Sequence, residues 1–196
     1  MTIVLASNNA GKLREFREIL APLNITVVPQ SAVGANFEVN ETGETFEENA
    51  YLKASSVVSF SHFPVVADDS GLCVTALDGA PGLNTARFGG GKDWTDRQKY
   101  EYLLEVMRDK TDRSAKFVSA ICCIMPGGRI LRTRGECPGR ILTQPMMGEA
   151  GFGYDPVFCP EGYDQSFAVL GQDVKNQISH RARALAAFRK ELEKLC

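Results

Sequence analysis

Short runs of β-branched residues alternate along this chain with longer segments whose apolar residues recur at helical spacing. "TIVLAS" (residues 2–7) and "ITVV" (25–28) have the composition of strands. Between them, "GKLREFREILAPL" places Leu13, Phe16 and Leu20 on one face of a helix. Strands that interleave with helices in this way predict an α/β fold, with a mixed sheet covered by helices.

The rest of the chain continues the same alternation. Thr95 and Gln98 have the spacing of a capping box, and "PGG" separates two apolar runs as a hairpin turn does. The predicted elements are helices over residues 45–59, 95–109 and from a Ser179 cap to about Leu195, strands over 65–69 and 72–77 around an Asp-Ser-Gly turn, strands over 115–125 and 129–136, and a glycine-rich loop over 148–156.

Composition narrows the class of protein. The 196 residues, 44% of them hydrophobic, predict a single domain (1–196) that is large enough to bury a core. Lys and Arg number 22 against 24 Asp and Glu, a net charge of −2 without a long basic run, which argues against non-specific binding to nucleic acid. No run approaches the ~20 apolar residues of a membrane span, and the first residues lack a signal-peptide pattern.

The cysteines indicate a reducing compartment. None forms a C-x-x-C pair, and several lie in apolar runs typical of strands. This pattern predicts reduced thiols in a cytoplasmic protein rather than a disulfide framework or a zinc site. The six are Cys73, Cys122, Cys123, Cys137, Cys159 and Cys196.

Two adjacent acids follow a short apolar run in "PVVADDSGL". Asp68 and Asp69 are compatible with ordinary turn chemistry, since Asp and Ser bond their own backbone in turns. They are also compatible with a metal site or with a general base carried by a buried strand. The local sequence leaves these alternatives open.

Three other stretches carry groups that suit an anionic ligand. "SNNAGK" (residues 7–12) lies between a predicted strand and a predicted helix, where backbone amides attract phosphate, although it lacks the P-loop pattern and also fits an ordinary capped loop. Lys53 lies on the apolar face of its predicted helix and requires an anion. Glu41 precedes that helix in a loop from which it can point toward a ligand.

The C-terminal part offers aromatic and basic groups. "GFGYDP" places Phe152 and Tyr154 on a glycine frame, which suits either the edge of a core or the stacking of a flat base. "KNQISHRARAL" contains Lys175, His180 and Arg181 near a predicted helix start. An arginine in a first helical turn opposes the helix dipole and therefore suggests a further role.

Six blocks, in this order, resemble the inosine triphosphate pyrophosphatase (Ham1-like) family, bacterial members above all: "SNNAGK", "TGETFEENAYLKA", "ADDSGL", "GAPGLNTARF", "GFGYDP" and "SHRARAL". The resemblance implies an elongated mixed sheet flanked by helices, with two lobes around a central nucleotide cleft. It also implies a homodimer that requires Mg²⁺ for activity and hydrolyses non-canonical purine nucleoside triphosphates to monophosphate and pyrophosphate.

The resemblance also implies site residues. Asp69 matches the general base, with Lys12 and Lys53 stabilising charge on the phosphates. The metal ligands would be Asp69 with Glu41 or Asp68, although some relatives have an acid where Asn40 stands, which leaves the choice of Glu41 open. The substrate contacts would be Ser7, Asn8, Asn9, Ala10, Gly11, Lys12, Ser70, Phe152, Gly153, Tyr154, Asp155, Lys175, His180 and Arg181.

His180 and Arg181 also suggest how the base is selected, and two other functions compete with this one. Donors on His180 and Arg181 would match the 6-keto oxygen of hypoxanthine or xanthine and face adenine's amino group unpaired. The competing functions are a Maf-like pyrophosphatase acting on pyrimidine or modified nucleotides, and a nucleotide-binding module without chemistry. The Maf-like alternative gives no reason for the paired "GFGYDP" and "SHR" blocks, and the binding module predicts binding without turnover.

Overall fold

The computed structural model describes residues 1–91, 93–149 and 151–194 and confirms the predicted α/β fold. Its strands are β1 (Thr2–Leu5), β2 (Thr26–Pro29), β3 (Val65–Val74), β4 (Ser114–Ile124), β5 (Ile130–Ile141) and β6 (Phe158–Pro160). Its α-helices are α1 (Ala10–Leu20), α2 (Phe46–Val57), α3 (Asp96–Val106), α4 (Phe167–Ile178) and α5 (His180–Glu193).

The strands form a mixed sheet in the order β2-β1-β3-β4-β5-β6. β1 pairs in parallel with β2 and β3, whereas β5 and β6 are antiparallel. β4 and β5 are joined by the predicted hairpin, in which Met125 N–H donates to the Arg129 carbonyl at 2.8 Å. By contact density the chain divides into two compact units, and β3, β4 and β5 each contribute residues to both.

The first unit contains residues 1–69, 119–135 and the chain from 181 onward. Side chains alternate along β1, so Ile3 and Leu5 join one apolar cluster and Val4 joins another. The first cluster receives α1 and α5, through residues such as Phe16 and Phe188. The second receives α2 through Ala50, Ala54 and Val57. The sheet of this unit therefore has α1 and α5 on one face and α2 on the other.

The second unit contains residues 70–118 and 136–180, with its own core. Leu103 and Met107 of the α3 region pack there with aromatic residues of the sheet and α4. The ring centroids of Phe117 and Phe158 are 4.6 Å apart, and those of Phe158 and Phe167 are 5.5 Å apart. The predicted capping box starts α3: Thr95 Oγ1 accepts from Gln98 N–H, and Gln98 Oε1 accepts from Thr95 N–H.

One prediction for the fold is wrong. "DDSG" was expected to turn between two strands, but β3 runs without interruption from Val65 to Val74. The two acids do not need a turn's backbone amides, because both find cationic side chains, as described below. α4 was not predicted from the sequence.

Two further features concern the cysteines and the lengths of the helices. Of the cysteines within the described residues, Cys73, Cys122, Cys123, Cys137 and Cys159 are free thiols, and Cys196 lies outside them, as does Leu195 at the expected end of the last helix. Among the described residues no helix combines the length and the apolar character that crossing a bilayer requires.

Candidate active site

The alternation of side chains along β3 separates the two neighbouring acids. Val66 packs in the apolar cluster shared with α1 and α5, whereas Val65 and Ala67 pack in the cluster shared with α2. Asp68 follows the parity of Val66, and Asp69 follows that of Val65 and Ala67. The two carboxylates therefore leave opposite faces of the strand and meet different partners.

Asp68 is held by three groups from the α1/α5 face. Arg181 at the start of α5 donates to Oδ2 from Nη2 at 2.9 Å and from Nε at 3.3 Å. Lys12 of α1 lies 3.0 Å from the same oxygen, and it also donates to the Asp68 carbonyl at 3.0 Å. Ser119 Oγ donates to Oδ1 at 2.5 Å. Both oxygens of Asp68 are therefore engaged by protein groups.

Arg181 has a second carboxylate partner that the sequence did not reveal. Its Nη1 donates to Oε2 of Glu15, an α1 residue. Glu15 and Arg181 are each about 1% exposed, so a full charge pair is buried. The only sequence signal for it was the unusual arginine in a first helical turn, which requires anions that the sequence does not specify.

These pairings change the proton affinities of the groups. Burial would raise the pKa of Asp68, but Arg181, Lys12 and the Ser119 hydroxyl outweigh it and hold that pKa well below its usual range. Burial opposes the charge of Arg181 as well, and the carboxylates of Asp68 and Glu15 raise its pKa. The pKa of Lys12 is lowered, because burial outweighs the attraction of Asp68.

Asp69 meets Lys53 of α2 on the opposite face. Lys53 Nζ donates to Asp69 Oδ1 at 2.6 Å and to Glu41 Oε1 at 3.1 Å. Burial raises the pKa of Asp69, and the nearby ammonium groups offset this only in part. Burial opposes the charge of Lys53, but Asp69 and Glu41 outweigh it and raise its pKa. The predicted buried anion for Lys53 is therefore a pair of carboxylates.

The "SNNAGK" segment connects β1 to the start of α1. Asn9 caps the helix, since its Oδ1 accepts from Lys12 N–H at 3.0 Å, and its own N–H donates to Ser7 Oγ at 3.1 Å. Asn8, Asn9 and Ala10 are exposed, and Gly11 is half-buried. The first amides of a helix have no intrahelical acceptor, so this end offers donors to an anion.

The donor set around Lys53 suits a small hard cation. The described residues contain no group of three or more His, Cys, Asp or Glu side chains arranged to hold a metal ion. Mg²⁺ does not require such a cage, because it usually binds one or two carboxylates, substrate phosphates and water. Glu41 and Asp69 converge on one ammonium and supply two such carboxylates, whereas both oxygens of Asp68 are already bonded.

The second unit contains the aromatic and basic residues near the C-terminus. Asp155 Oδ2 accepts from Lys175 Nζ at 2.6 Å and from Phe152 N–H at 2.8 Å. The Lys175 ammonium lies 4.5 Å from the centroid of the half-buried Phe152 ring. Gly151 precedes them with φ +98°, and a Cβ there would lie 2.6 Å from Asp155 Oδ2, so only glycine fits.

Three further contacts fix this cluster. Tyr154 hydroxyl donates to the Thr85 carbonyl at 3.0 Å, and Gly153 N–H donates to Asp96 Oδ2 at 2.8 Å. The His180 ring stacks on Phe117, with centroids 4.8 Å apart. Ser70 is half-buried in β3, directly after Asp69. Sequence reasoning missed the supporting Thr85, Asp96 and Phe117, because they are distant in the chain.

The predicted site residues thus fall into two groups by unit. The first unit contains residues 7–12, Glu41, Lys53, Asp68, Asp69 and Arg181, whereas the second contains Ser70, Phe152, Gly153, Tyr154, Asp155, Lys175 and His180. Arg181, which the sequence places beside His180 in base recognition, is bonded to Asp68 and Glu15.

Known proteins are similar to this chain in sequence and in fold. A dITP/XTP pyrophosphatase of Deinococcus deserti is 46% identical over 186 residues, covering 95% of this chain and 86% of the relative. One of Desulfotalea psychrophila is 44% identical, with 96% and 84% covered. The solved Ham1 protein of Staphylococcus aureus superposes with a TM-score of 0.87 at 39% identity, with both chains fully covered.

A second solved structure and a family model agree with these matches. The HAM1 protein of Coxiella burnetii has a TM-score of 0.87 and 38% identity, and 99% of each chain is covered. The model of the Ham1 family matches residues 3–191, which span both units. The resemblance found in the sequence is confirmed, and the chain belongs to the Ham1 family.

Proposed function

We propose that this chain is a nucleoside-triphosphate pyrophosphatase that hydrolyses ITP, dITP and XTP to the monophosphate and pyrophosphate. Residues 1–196 act as one catalytic domain, which clears these non-canonical purine nucleotides from the nucleotide pool. Relatives named dITP/XTP pyrophosphatase match 95% or more of the chain, in support of this activity. The observation that carries the proposal is the buried Asp69, bonded to Lys53 next to Glu41.

Asp69 acts as the general base. Its pKa is raised by burial, which strengthens it as a proton acceptor, while the bond to Lys53 helps to keep it ionised. It removes a proton from a water molecule whose oxygen forms a bond to the α-phosphorus. The bond between that phosphorus and the bridging oxygen to the β-phosphorus breaks, and pyrophosphate leaves with the electron pair.

Glu41 and Asp69 are the residues that would hold Mg²⁺. A bound Mg²⁺ would supply positive charge to the phosphate oxygens and lower the pKa of a coordinated water. Asp68, expected as an alternative ligand, acts instead as the anchor for Lys12 and Arg181, since both of its oxygens are bonded.

Lys12 and the start of α1 bind the phosphates. The Asn9 cap fixes the turn, so the amides of residues 7–12 are oriented before a ligand arrives. Lys12 is 17% exposed at its side chain, so its ammonium group can reach a phosphate while Asp68 keeps it in position. Lys53 stabilises charge on the same phosphates.

The cluster in the second unit binds the purine base. Phe152 presents a half-buried ring for stacking, and its backbone is fixed through Asp155. Lys175 and His180 would donate to a 6-keto oxygen, which adenine lacks. Ser70, Gly153 and Tyr154 complete the set of substrate contacts. Arg181 has a separate role, since it holds Asp68 and, through it, Lys12.

The remaining expectations rest on the family resemblance. The enzyme works as a homodimer in the cytoplasm, with a nucleotide as its ligand rather than nucleic acid or a membrane. The free thiols of the described cysteines suit a reducing compartment. Sedimentation of the purified chain tests the dimer.

A panel of triphosphates with Mg²⁺, read by pyrophosphate release, tests the function. We expect rapid release from ITP, dITP and XTP, slow release from ATP, and a loss of about 10²–10⁴-fold in kcat for Asp69→Asn. Asp109→Asn makes the same chemical change at an exposed site and serves as the control. Turnover of dTTP or UTP with inert ITP would favour the Maf-like alternative, and binding of ITP without turnover would favour a binding module.

A further inference from the structure

Two buried amide side chains contact the segment that carries Glu41. This segment, residues 35–45, has no strand and no helix. Gln30 Nε2 donates to the carbonyls of Ala35 at 3.1 Å and Phe37 at 2.7 Å. On the other side of Glu41, Asn49 Oδ1 accepts from Gly43 N–H at 2.8 Å. Neither amide takes part in the chemistry described above.

The backbone of Gly43 packs tightly against Asn49. Asn49 is 2% exposed on the inner face of α2. A Cβ at Gly43 would lie 2.7 Å from Asn49 Oδ1 and 2.7 Å from Glu48 Cβ, so the loop backbone lies directly against the helix. Glu44 N–H also donates to Glu48 Oε2 at 2.7 Å. The backbone just after Glu41 is therefore fixed to the first turns of α2.

Asn49 and Lys53 hold the same loop at two neighbouring points. They are four residues apart in α2, so they lie on one face of the helix. Asn49 bonds the backbone of Gly43, and Lys53 bonds the side chain of Glu41, two residues earlier. Because Lys53 also bonds Asp69, this face of α2 sets the position of the Glu41 carboxylate relative to Asp69.

We propose that Asn49 is a positioning residue, which holds Glu41 beside Asp69 in the arrangement that binds a divalent cation. The inference rests on the proposed metal role of Glu41 and Asp69. Side chains that orient a ligand without touching the metal typically change metal affinity about 10–100-fold when they are removed. Without Asn49, the loop would keep the Gln30 contacts, the Glu44–Glu48 bond and the Lys53–Glu41 pair, but it would lose the buried side-chain bond that lies two residues from Glu41. The ion pair alone fixes the Glu41 carboxylate weakly, since that carboxylate is 32% exposed.

The binding of Mn²⁺ alone, followed by the EPR signal of the free ion, tests the proposal without turnover. Mn²⁺ takes the same oxygen ligands as Mg²⁺. We expect Asn49→Ala to weaken binding about 10-fold or more, and Asn49→Asp, which keeps the acceptor oxygen, to stay within about threefold of wild type. Ser55→Ala, at an exposed position on α2 where the hydroxyl donates to the Leu52 carbonyl, is the control and should bind as wild type does.

A double-mutant cycle distinguishes positioning from a general loss of structure. If Asn49 acts through Glu41, Asn49→Ala should weaken Mn²⁺ binding no further in a chain that already carries Glu41→Gln. Additive losses overturn the inference. Hydrogen exchange without metal should show faster exchange of the Gly43 amide in Asn49→Ala, and unchanged exchange also overturns it.

The outcomes separate this inference from the proposed function. If Glu41→Gln weakens Mn²⁺ binding and Asn49→Ala does not, the inference fails while the metal role of Glu41 stands. If wild type binds Mn²⁺ no better than Glu41→Gln, the metal role of Glu41 fails and the inference fails with it.

Discussion

Arg181 Nη2 donates to Asp68 Oδ2 across 2.9 Å, in a site where both side chains are almost completely buried. Asp68, the residue before the proposed general base, is therefore neutralised by the guanidinium group of a residue that lies 113 positions later in the chain. Glu15 engages the other side of the same guanidinium. Buried charges of this kind are stable only as a complete set, since each unpaired member is expensive to desolvate.

Asp68→Asn should destabilise the fold. The substitution keeps the size of the side chain but leaves Arg181 and Lys12 facing a neutral amide, so we expect the free energy of unfolding to fall by about 3–5 kcal/mol. Chemical denaturation at neutral pH measures this change. Asp109→Asn should leave the denaturation midpoint unchanged, and an Asp68→Asn midpoint equal to that of wild type would refute the account of the buried cluster.

The same carboxylate predicts an acid dependence of stability. Its pKa is depressed in the folded chain, so its contribution is present above the ordinary aspartate pKa of about 3.9 and is lost as the pH falls through the folded value. Wild type should therefore lose stability below about pH 4 more steeply than Asp68→Asn. Denaturation midpoints at several acidic pH values, measured with a chelator present, test this. Parallel curves for the two proteins would contradict it.

Sequence reasoning found the elements whose signals are local. Three such signals depend only on residues that are close together in the chain. They are the β-branched run of β1, the helical spacing of Leu13, Phe16 and Leu20, and the capping box of Thr95 and Gln98. The inward position of Lys53 was readable in the same way, from its place on an apolar helix face.

The arrangement of the charges was not readable from the sequence. Adjacent Asp, Ser and Gly residues favour a turn by local propensity, and β3 continues through them because Arg181 and Lys53 satisfy the two acids from opposite faces of the sheet. Those partners come from α5 and α2, distant in the sequence. The acceptors of Arg181, Asp68 and Glu15, are likewise specified only by the fold.

Lys12 should set the alkaline limit of activity. Burial lowers its pKa, so the ammonium group loses its proton at a lower pH than the ordinary lysine value of about 10.4. Because the charged form binds the phosphates, kcat/KM should fall as the pH rises through that lowered pKa. The pH profile of kcat/KM for ITP measures the limit.

Two variants separate this role of Lys12 from stability. Lys12→Ala should reduce kcat/KM about 10²–10³-fold at neutral pH, and it should destabilise the fold less than Asp68→Asn does, since Arg181 still pairs with Asp68. Lys110→Ala, at an exposed position, is the matched control. Wild-type kinetics in Lys12→Ala would remove the lysine from the mechanism.

Phe152→Ala should weaken the use of every purine triphosphate to a similar extent. Stacking of a base on an aromatic ring is worth about 1–3 kcal/mol and does not depend on the base, so KM should rise about 5–150-fold while the ITP:ATP preference stays the same.

Lys175→Met removes a donor instead, and it should reduce the ITP:ATP preference. Phe63→Ala, an aromatic residue that is 50% exposed, controls for the loss of a ring. Because stacking and donation act on different features of the base, the two variants should separate affinity from selectivity. A Phe152→Ala enzyme with unchanged KM values would show that the ring only seals the core of its unit.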